Sequence, residues 1–166
     1  MPLNTFPQPG KMISARGGGA LLSGEYRHNL DAKGRIIMPT KLREELGDTF
    51  YVMQGFEGCL AVRSVEGFET ISNSVNALPA VSREARRMQR VMNASACQCE
   101  ADKQGRFVIP PQLRAFAKLE KEVVIVGVGD RAEIWDKDKW EDYLYGEGSV
   151  SLEDVADALA AQGLSM

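Results

Sequence analysis

A thirteen-residue phrase occurs twice in this chain and constrains its fold more than any other feature. DAKGRIIMPTKLR, residues 31–43, returns 71 residues later as DKQGRFVIPPQLR, residues 102–114. The identical positions are Asp31 with Asp102, Gly34 with Gly105, Arg35 with Arg106, Pro39 with Pro110, Leu42 with Leu113 and Arg43 with Arg114. Such self-similarity indicates a duplicated structural unit. Units of about 45 residues are too small to bury a core alone, so the copies must pack together, within one chain or between chains.

Both copies predict the same order of local structures. An opening strand leads into an Asp-x-x-Gly turn, in which the aspartate bonds the backbone and glycine supplies a positive φ. A short apolar strand, a proline, one short helix and two further strands follow. The predicted strands are 24–30, 36–38, 50–55 and 59–63 in the first copy and 94–101, 107–109, 123–128 and 132–136 in the second. This order predicts an α+β fold in which both halves form one intertwined β-barrel, because a barrel removes exposed strand edges.

Three further helices are predicted outside or beside the repeated phrase. One begins at Val65, one covers 81–92, and a short acidic one follows Ser151, which resembles a capping-box residue. The segment 81–92 carries an arginine stripe at helical spacing, formed by Arg83, Arg86, Arg87 and Arg90. The predicted divisions are a disordered leader (1–22), a first repeat (23–69), a connecting helical segment (70–93), a second repeat (94–142) and an acidic helical tail (143–166).

The charge distribution is uneven although the net charge is only −3. The window 27–43 holds five basic residues and one acidic residue, and the window 83–106 holds six and three. From Asp130 to the end there are ten acidic and three basic residues. Binding depends on the local electrostatic potential and not on the net charge of the whole chain. The two basic windows are therefore compatible with a nucleic-acid partner. Both windows contain, or lead into, a copy of the repeated phrase.

The sequence gives little support for an enzyme or a metal site. The single histidine, His28, lies in a predicted strand, and no Gly-rich phosphate loop, H-E-x-x-H or G-x-S-x-G motif is present. Cys97 and Cys99 form a C-x-C spacing without a second cysteine pair, which favours buried structural thiols over zinc or a disulfide. No apolar run approaches the roughly 18 residues that a membrane span requires.

Several basic and aromatic residues admit two interpretations each. Arg35 and Arg106 follow turn glycines, so each guanidinium can contact phosphate or guanine, or pair locally with Asp31 or Asp102. A mixed arrangement, in which the aspartate orients an arginine that still reaches outward, is also open. The arginine stripe is either a phosphate grip or, more commonly, a solvated or subunit-bridging face. The matched positions Phe68, Trp135 and Trp140 favour core or interface packing over base stacking.

Long segments of the chain closely resemble the MraZ family of bacterial transcriptional regulators, which are built from two SpoVT–AbrB repeats. The segments are GEYRHNLDAKGRIIMPTKLREEL, RRMQR and DKQGRFVIPPQLRAFAKLEKEVVIVGVGDRAEIWDKDKW, and the match runs from about residue 23 to 142. The resemblance implies AbrB-like swapped-hairpin barrel units, a ring-like homo-oligomer, and binding of double-stranded DNA at short direct repeats. It also implies a cytoplasmic, nucleoid-associated protein acting on the promoter of its own division and cell-wall operon. It implies no cofactor, membrane or small-molecule substrate.

The family motif D-x-x-x-R places the predicted DNA contacts on both copies. It corresponds to Asp31 with Arg35 and to Asp102 with Arg106. We expect the first copy to be the stronger contact, because Gln104 replaces Lys33 in the second. The remaining predicted contacts, all near the first copy, are Arg27, Lys41 and Arg43.

Two other functions remain as alternatives at this point. The repeats could build only an oligomer that binds a protein partner, as related AbrB-like antitoxins bind toxins. An Arg35 buried against Asp31, without a continuous basic surface, would favour that interpretation. An enzyme would require a pocket with perturbed carboxylates or thiols around Cys97 and Cys99.

Overall fold

The structure is a computed structural model that describes residues 21–164. The predicted leader, 1–22, lies almost wholly outside the described residues. The described chain forms two compact units, one ending at Asp136 and the other beginning at Lys137. The first unit contains both copies of the repeated phrase.

The elements follow the predicted order closely. The strands are β1 (Glu25–Asn29), β2 (Arg35–Ile37), β3 (Thr49–Gln54), β4 (Leu60–Ser64), β5 (Cys97–Glu100), β6 (Arg106–Val108), β7 (Glu122–Gly127) and β8 (Ala132–Asp136). The helices are α1 (Thr40–Leu46), α2 (Val65–Asn76), α3 (Arg83–Ser95), α4 (Pro111–Ala117), α5 (Lys137–Tyr145) and α6 (Leu152–Ala161), and a 3₁₀ turn covers Phe56–Gly58. The mixed α+β class predicted from the sequence is therefore confirmed.

The two repeats exchange their first strands. Six antiparallel strands form one sheet in the order β1-β7-β8-β4-β3-β5. Within it β1 of the first repeat pairs with β7 of the second, and β5 of the second repeat pairs with β3 of the first. The pair β4–β8 joins the halves at the centre. Neither repeat completes a sheet without the other, which is the packing that the small size of the units requires.

A second, two-stranded sheet is formed by β2 and β6, and we call it the ribbon. Its central pair is Ile36 opposite Phe107, and both side chains are almost fully buried. The Phe107 ring meets Phe50 of β3 edge-on, with 4.9 Å between the ring centroids. The ribbon therefore closes over the six-stranded sheet and shares its core. In the described residues the backbone pairing forms these two sheets and not the single closed barrel that we expected.

The boundaries of the connecting helix differ from the sequence prediction. Ser82 caps α3 by accepting a hydrogen bond from the Ala85 amide, so Val81 stays outside the helix with 89% of its surface exposed. At the other end the helix continues through Ser95, and the strand predicted from residue 94 begins only at Cys97. Capping chemistry thus sets the start of α3, because an N-cap side chain satisfies a free helix amide.

The second unit contains α5 and α6. Ser151 caps α6 by accepting a hydrogen bond from the Asp154 amide, as its capping-box position predicted. Trp140 stacks on Tyr143 within α5, with ring centroids 6.1 Å apart. Its counterpart in the first repeat, Phe68, stacks on Tyr51 at 4.1 Å, so both aromatics have ring partners within their own units.

Candidate nucleic-acid interface

The first loop, residues 31–35, is built around the carboxylate of Asp31. One carboxylate oxygen, Oδ1, accepts hydrogen bonds from the Lys33 amide at 2.9 Å and the Arg35 amide at 2.8 Å. The other oxygen, Oδ2, accepts a 2.7 Å hydrogen bond from Arg35 Nε. Gly34 has a φ of +79°, which L side chains rarely adopt, so the glycine is required for the turn. The Asp-x-x-Gly turn predicted from the sequence is confirmed.

The second loop, residues 102–106, has the same geometry. Asp102 Oδ1 accepts from the Gln104 and Arg106 amides, both at 2.9 Å, and Oδ2 accepts from Arg106 Nε at 2.9 Å. Gly105 has a φ of +85°. Each aspartate therefore holds its arginine through Nε, while the terminal Nη1 and Nη2 groups of Arg35 and Arg106 form no hydrogen bond within residues 21–164. This is the mixed arrangement left open by the sequence.

The ribbon brings the two arginines together on one outward face. Arg35 lies opposite Val108, and Ile37 lies opposite Arg106. Since side chains alternate across a strand and Ile36 and Phe107 point into the core, these four side chains point outward. Their exposed fractions range from 34% for Arg35 to 51% for Val108. Arg35 and Arg106 are diagonal neighbours, which places their Cα atoms roughly 7–8 Å apart.

Both loop aspartates are held in the charged form. The backbone amide of Arg35 is the largest cause that lowers the pKa of Asp31, and the Arg35 side chain and the Lys33 amide lower it further. The Arg106 amide has the same effect on the pKa of Asp102, with the Arg106 side chain and the Gln104 amide contributing. Hydrogen bonds to a carboxylate stabilise its ionised state. The loop geometry is therefore complete at neutral pH.

The other predicted contact residues differ in their surroundings. Lys33 and Lys41 are exposed, and their ammonium groups form no ion pair in the described part of the chain. Arg27 lies on β1, about half exposed, and pairs with Glu25 at 3.2 Å. Arg43 is mostly enclosed: its Nε contacts Asp48 at 2.8 Å and its side chain turns toward the second loop. Lys33 and Lys41 are thus the more accessible cations of this group.

Each loop is contacted by an arginine of the opposite repeat. Arg43 donates from Nη2 to the Asp102 carbonyl at 3.1 Å and from Nη1 to the Lys103 carbonyl at 3.4 Å. Its counterpart Arg114 lies against the first loop, where a Cβ on Gly34 would come within 1.3 Å of Arg114 Nη1. Sequence reasoning missed Arg114. Its identity with Arg43 across the repeat was the available signal, because a residue common to both copies serves the shared fold.

The charge difference expected between the two loops disappears when the whole loops are compared, while the stronger contact by the first copy stays a prediction. Gln104 does replace Lys33, but Lys103 stands where the first loop has Ala32. Each five-residue loop therefore carries two basic residues and one acidic residue. The loops differ in where the lysine sits and not in their net charge.

The arginine stripe of α3 is divided between structural and exposed positions. Arg86 donates from Nη1 to the carbonyls of Ala80 at 2.8 Å and Val81 at 3.1 Å, so it secures the turn before the helix. The other three arginines of the stripe are exposed. This division agrees with the commoner interpretation of such stripes as solvated faces.

The histidine and cysteine side chains, which an enzyme or a metal site could use, are instead packed into the fold. His28 is half-buried on β1, and burial lowers the pKa of its imidazole below 6.5. Burial raises the pKa of the Cys59 and Cys99 thiols to about 12, so both remain protonated. Among residues 21–164 no group of three or more His, Cys, Asp or Glu side chains could hold a metal ion. No described helix has the length and apolarity to cross a membrane.

Comparison with known proteins agrees with the two repeats. A family model whose description reads "MraZ protein, putative antitoxin-like" matches the chain twice, over residues 21–91 and 92–161. The chain belongs to the MraZ family. Its MraZ relatives include the protein named "Transcriptional regulator MraZ" of Finegoldia magna, 47% identical over 135 residues, which are 81% of this chain and 94% of that protein. The protein of the same name in Caldicellulosiruptor saccharolyticus is 42% identical over 144 residues, 87% of this chain and 100% of that protein.

Proposed function

We propose that this chain is a sequence-specific, DNA-binding transcriptional regulator whose DNA contact is the outward face of the ribbon. The observation that carries the proposal is the pair of arginines on that face, each held at Nε by an aspartate while its terminal nitrogens remain available. The names of the relatives, transcriptional regulators of the MraZ family, support the same assignment. A two-stranded β-ribbon fits the major groove of B-DNA, which gives this surface a docking geometry.

The side chains on and around the ribbon face have different roles in DNA recognition. The planar fork of Arg35 or Arg106 suits bidentate contact with guanine O6 and N7 or with a phosphate. Asp31 and Asp102 orient the arginines and fix the loops, and do not touch DNA themselves. Lys33, with Lys41 and Arg27 around the first copy, adds positive charge toward phosphates, which gives affinity without sequence preference. Arg43, whose three nitrogens face protein acceptors, is not included in this group.

Oligomerisation raises the affinity of this small surface. A protomer offers one ribbon, whose three-residue strands contact only a few base pairs. A ring-like homo-oligomer places several copies side by side on the short direct repeats upstream of the chain's own division and cell-wall operon. Linked sites of this kind raise overall affinity by about 10² to 10⁴ without new contacts. The proposal places the protein in the cytoplasm and on the nucleoid, without an enzymatic activity.

The test is a mobility shift on the chain's own upstream DNA at two salt concentrations. The variants are Arg35→Ala and Arg106→Ala, with Arg83→Ala as an exposed arginine away from the ribbon. We expect both ribbon variants to weaken binding by at least about fivefold, since a good bidentate contact contributes about 1–3 kcal/mol. Arg83→Ala should change it little. Circular dichroism must first establish that all three variants are folded.

Two results would contradict the proposal. Unchanged binding by both folded ribbon variants would leave the loops without a role in DNA contact and would favour a protein partner for this surface. Equally weakened DNA binding in all three variants would indicate that the interaction depends only on the overall positive charge.

A further inference from the structure

The arginine-bearing loops are held across the repeat boundary and not only by their own chain segments. The Gly105 carbonyl of the second loop accepts a 2.8 Å hydrogen bond from the Met38 amide of the first repeat. The Gly34 carbonyl of the first loop likewise accepts a 3.0 Å bond from the Ile109 amide of the second. Arg43 and Arg114 add side-chain contacts in the same crossed sense.

The Arg43 contact is a complete bridge. Its Nε is fixed by the Asp48 carboxylate at 2.8 Å, and the two terminal nitrogens are directed at the Asp102 and Lys103 carbonyls. Its side chain is only 24% exposed. An arginine whose three nitrogens all point at protein acceptors is poorly placed to reach a phosphate. The geometry of Arg43 is that of a support beneath the second loop.

Among residues 21–164, Arg114 has no acidic partner equivalent to Asp48. The Asp48 carbonyl accepts from the Ala101 amide at 2.8 Å, and the Lys121 carbonyl accepts from the Leu30 amide at 2.7 Å. Since Leu30 and Ala101 are matched across the repeats, Lys121 is the structural counterpart of Asp48. The position of Asp48, the acid that holds Arg43, is therefore occupied by a lysine in the other repeat. Nη1 of Arg114 is buried and has no hydrogen-bond partner in the described chain.

We propose that Arg43 is a positioning residue for the second DNA-contact loop, that Asp48 holds it in place, and that Arg114 supports the first loop more weakly. This inference rests on the proposed DNA-binding function for its consequence, but its structural part does not require DNA. It makes the two loops unequal in rigidity although they have equal charge. The second loop is held in one geometry, and the first loop has more freedom to adapt to its site.

The variant Asp48→Asn separates support from direct contact by the sign of its effect. Asp48 is 69% exposed, so the substitution leaves the core untouched. It removes one negative charge and releases Arg43. If Arg43 bound phosphate directly, the release and the added charge would strengthen DNA binding. If Arg43 instead supports the second loop, Asp48→Asn should weaken DNA binding by about threefold to tenfold. Glu44→Gln, an exposed residue of α1 with the same change in charge, is the control and should leave binding equal or slightly stronger.

A second measurement tests the support without DNA. Hydrogen–deuterium exchange of the full chain should be about tenfold faster over residues 102–106 in Asp48→Asn and Arg43→Gln than in the unmodified protein, since bonds from a charged group are the stronger ones. Exchange over residues 31–35 should rise less in Arg114→Gln than exchange over 102–106 rises in Arg43→Gln. Unchanged exchange at 102–106 in the Arg43 and Asp48 variants would overturn the proposal.

The DNA-binding assay and the exchange measurement distinguish a failure of the proposed function from a failure of the positioning role. If the unmodified chain does not bind its upstream DNA, the proposed function fails, while faster exchange at 102–106 still supports the bridge. If DNA binding is strengthened in Asp48→Asn beyond the Glu44→Gln control, Arg43 is a direct DNA contact and the positioning role is wrong.

Discussion

Replacing Phe107 with alanine should destabilise both repeats at once. Phe107 belongs to the second repeat, but its cross-strand neighbour Ile36 and its ring partner Phe50 belong to the first. All three are at most 2% exposed. Truncation of a buried phenylalanine costs about 3–5 kcal/mol through lost burial and the cavity left behind. A domain of this size has a total stability of about 5–15 kcal/mol, so Phe107→Ala should lose a large share of it.

The assay is urea denaturation at a fixed protein concentration, because assembly would make stability depend on concentration. Circular dichroism follows the whole chain, and tryptophan fluorescence follows the buried Trp135 of β8 together with Trp140 of α5. The control is Val108→Ala, the next residue of the same strand, which is 51% exposed and should cost under about 1 kcal/mol. A loss below about 1.5 kcal/mol for Phe107→Ala, or a transition confined to one repeat, would refute the shared core.

Three further predictions concern the loops and β1. Gly34→Ala should destabilise the chain by about 1–2 kcal/mol in urea denaturation, because φ is +79° and Arg114 occupies the Cβ position; stabilisation would contradict this. Because the pKa values of Asp31 and Asp102 are lowered below 3.8, the loop hydrogen bonds should persist as the pH falls and be lost only below that value. Loop amide resonances that change with a midpoint above pH 4 would argue against it. The His28 imidazole should titrate below pH 6.5 by NMR, so that stability decreases as the pH drops below 6.5; a midpoint above 6.5 would exclude the burial effect.

The local structure of the repeat could be predicted from the sequence because its causes lie within a few residues. The Asp-x-x-Gly turns depend on a carboxylate and a glycine three residues later, and both turns have the predicted hydrogen bonds. Helix α1 ends where Gly47 takes a φ of +85°. The continuous apolar run 36–38, in contrast, did not indicate that Ile36 enters the core while Ile37 stays on the outward face.

The pairing of the repeats depends on contacts far apart in the sequence. Strand β1 pairs with β7 about one hundred residues away, and no local pattern distinguishes that partner from β3 or β4. The same limit applies to Arg43, which we predicted to be a DNA contact because its sequence neighbours are basic. Its bonds to the Asp102 and Lys103 carbonyls span 59 and 60 residues. Only the recurrence of the residue as Arg114 indicated a structural task.

The ratio of specific to non-specific DNA affinity tests the central claim most directly. Fluorescence anisotropy would compare the chain's upstream DNA with a scrambled duplex of equal composition at one fixed salt concentration. The double variant Arg35→Gln/Arg106→Gln is set against Arg83→Gln/Arg87→Gln, which removes the same charge from exposed positions of α3. We predict a ratio of at least about 10³ for the unmodified chain and for the α3 variant. We predict a ratio near one for the ribbon variant, whereas an unchanged ratio in a folded ribbon variant would contradict the account.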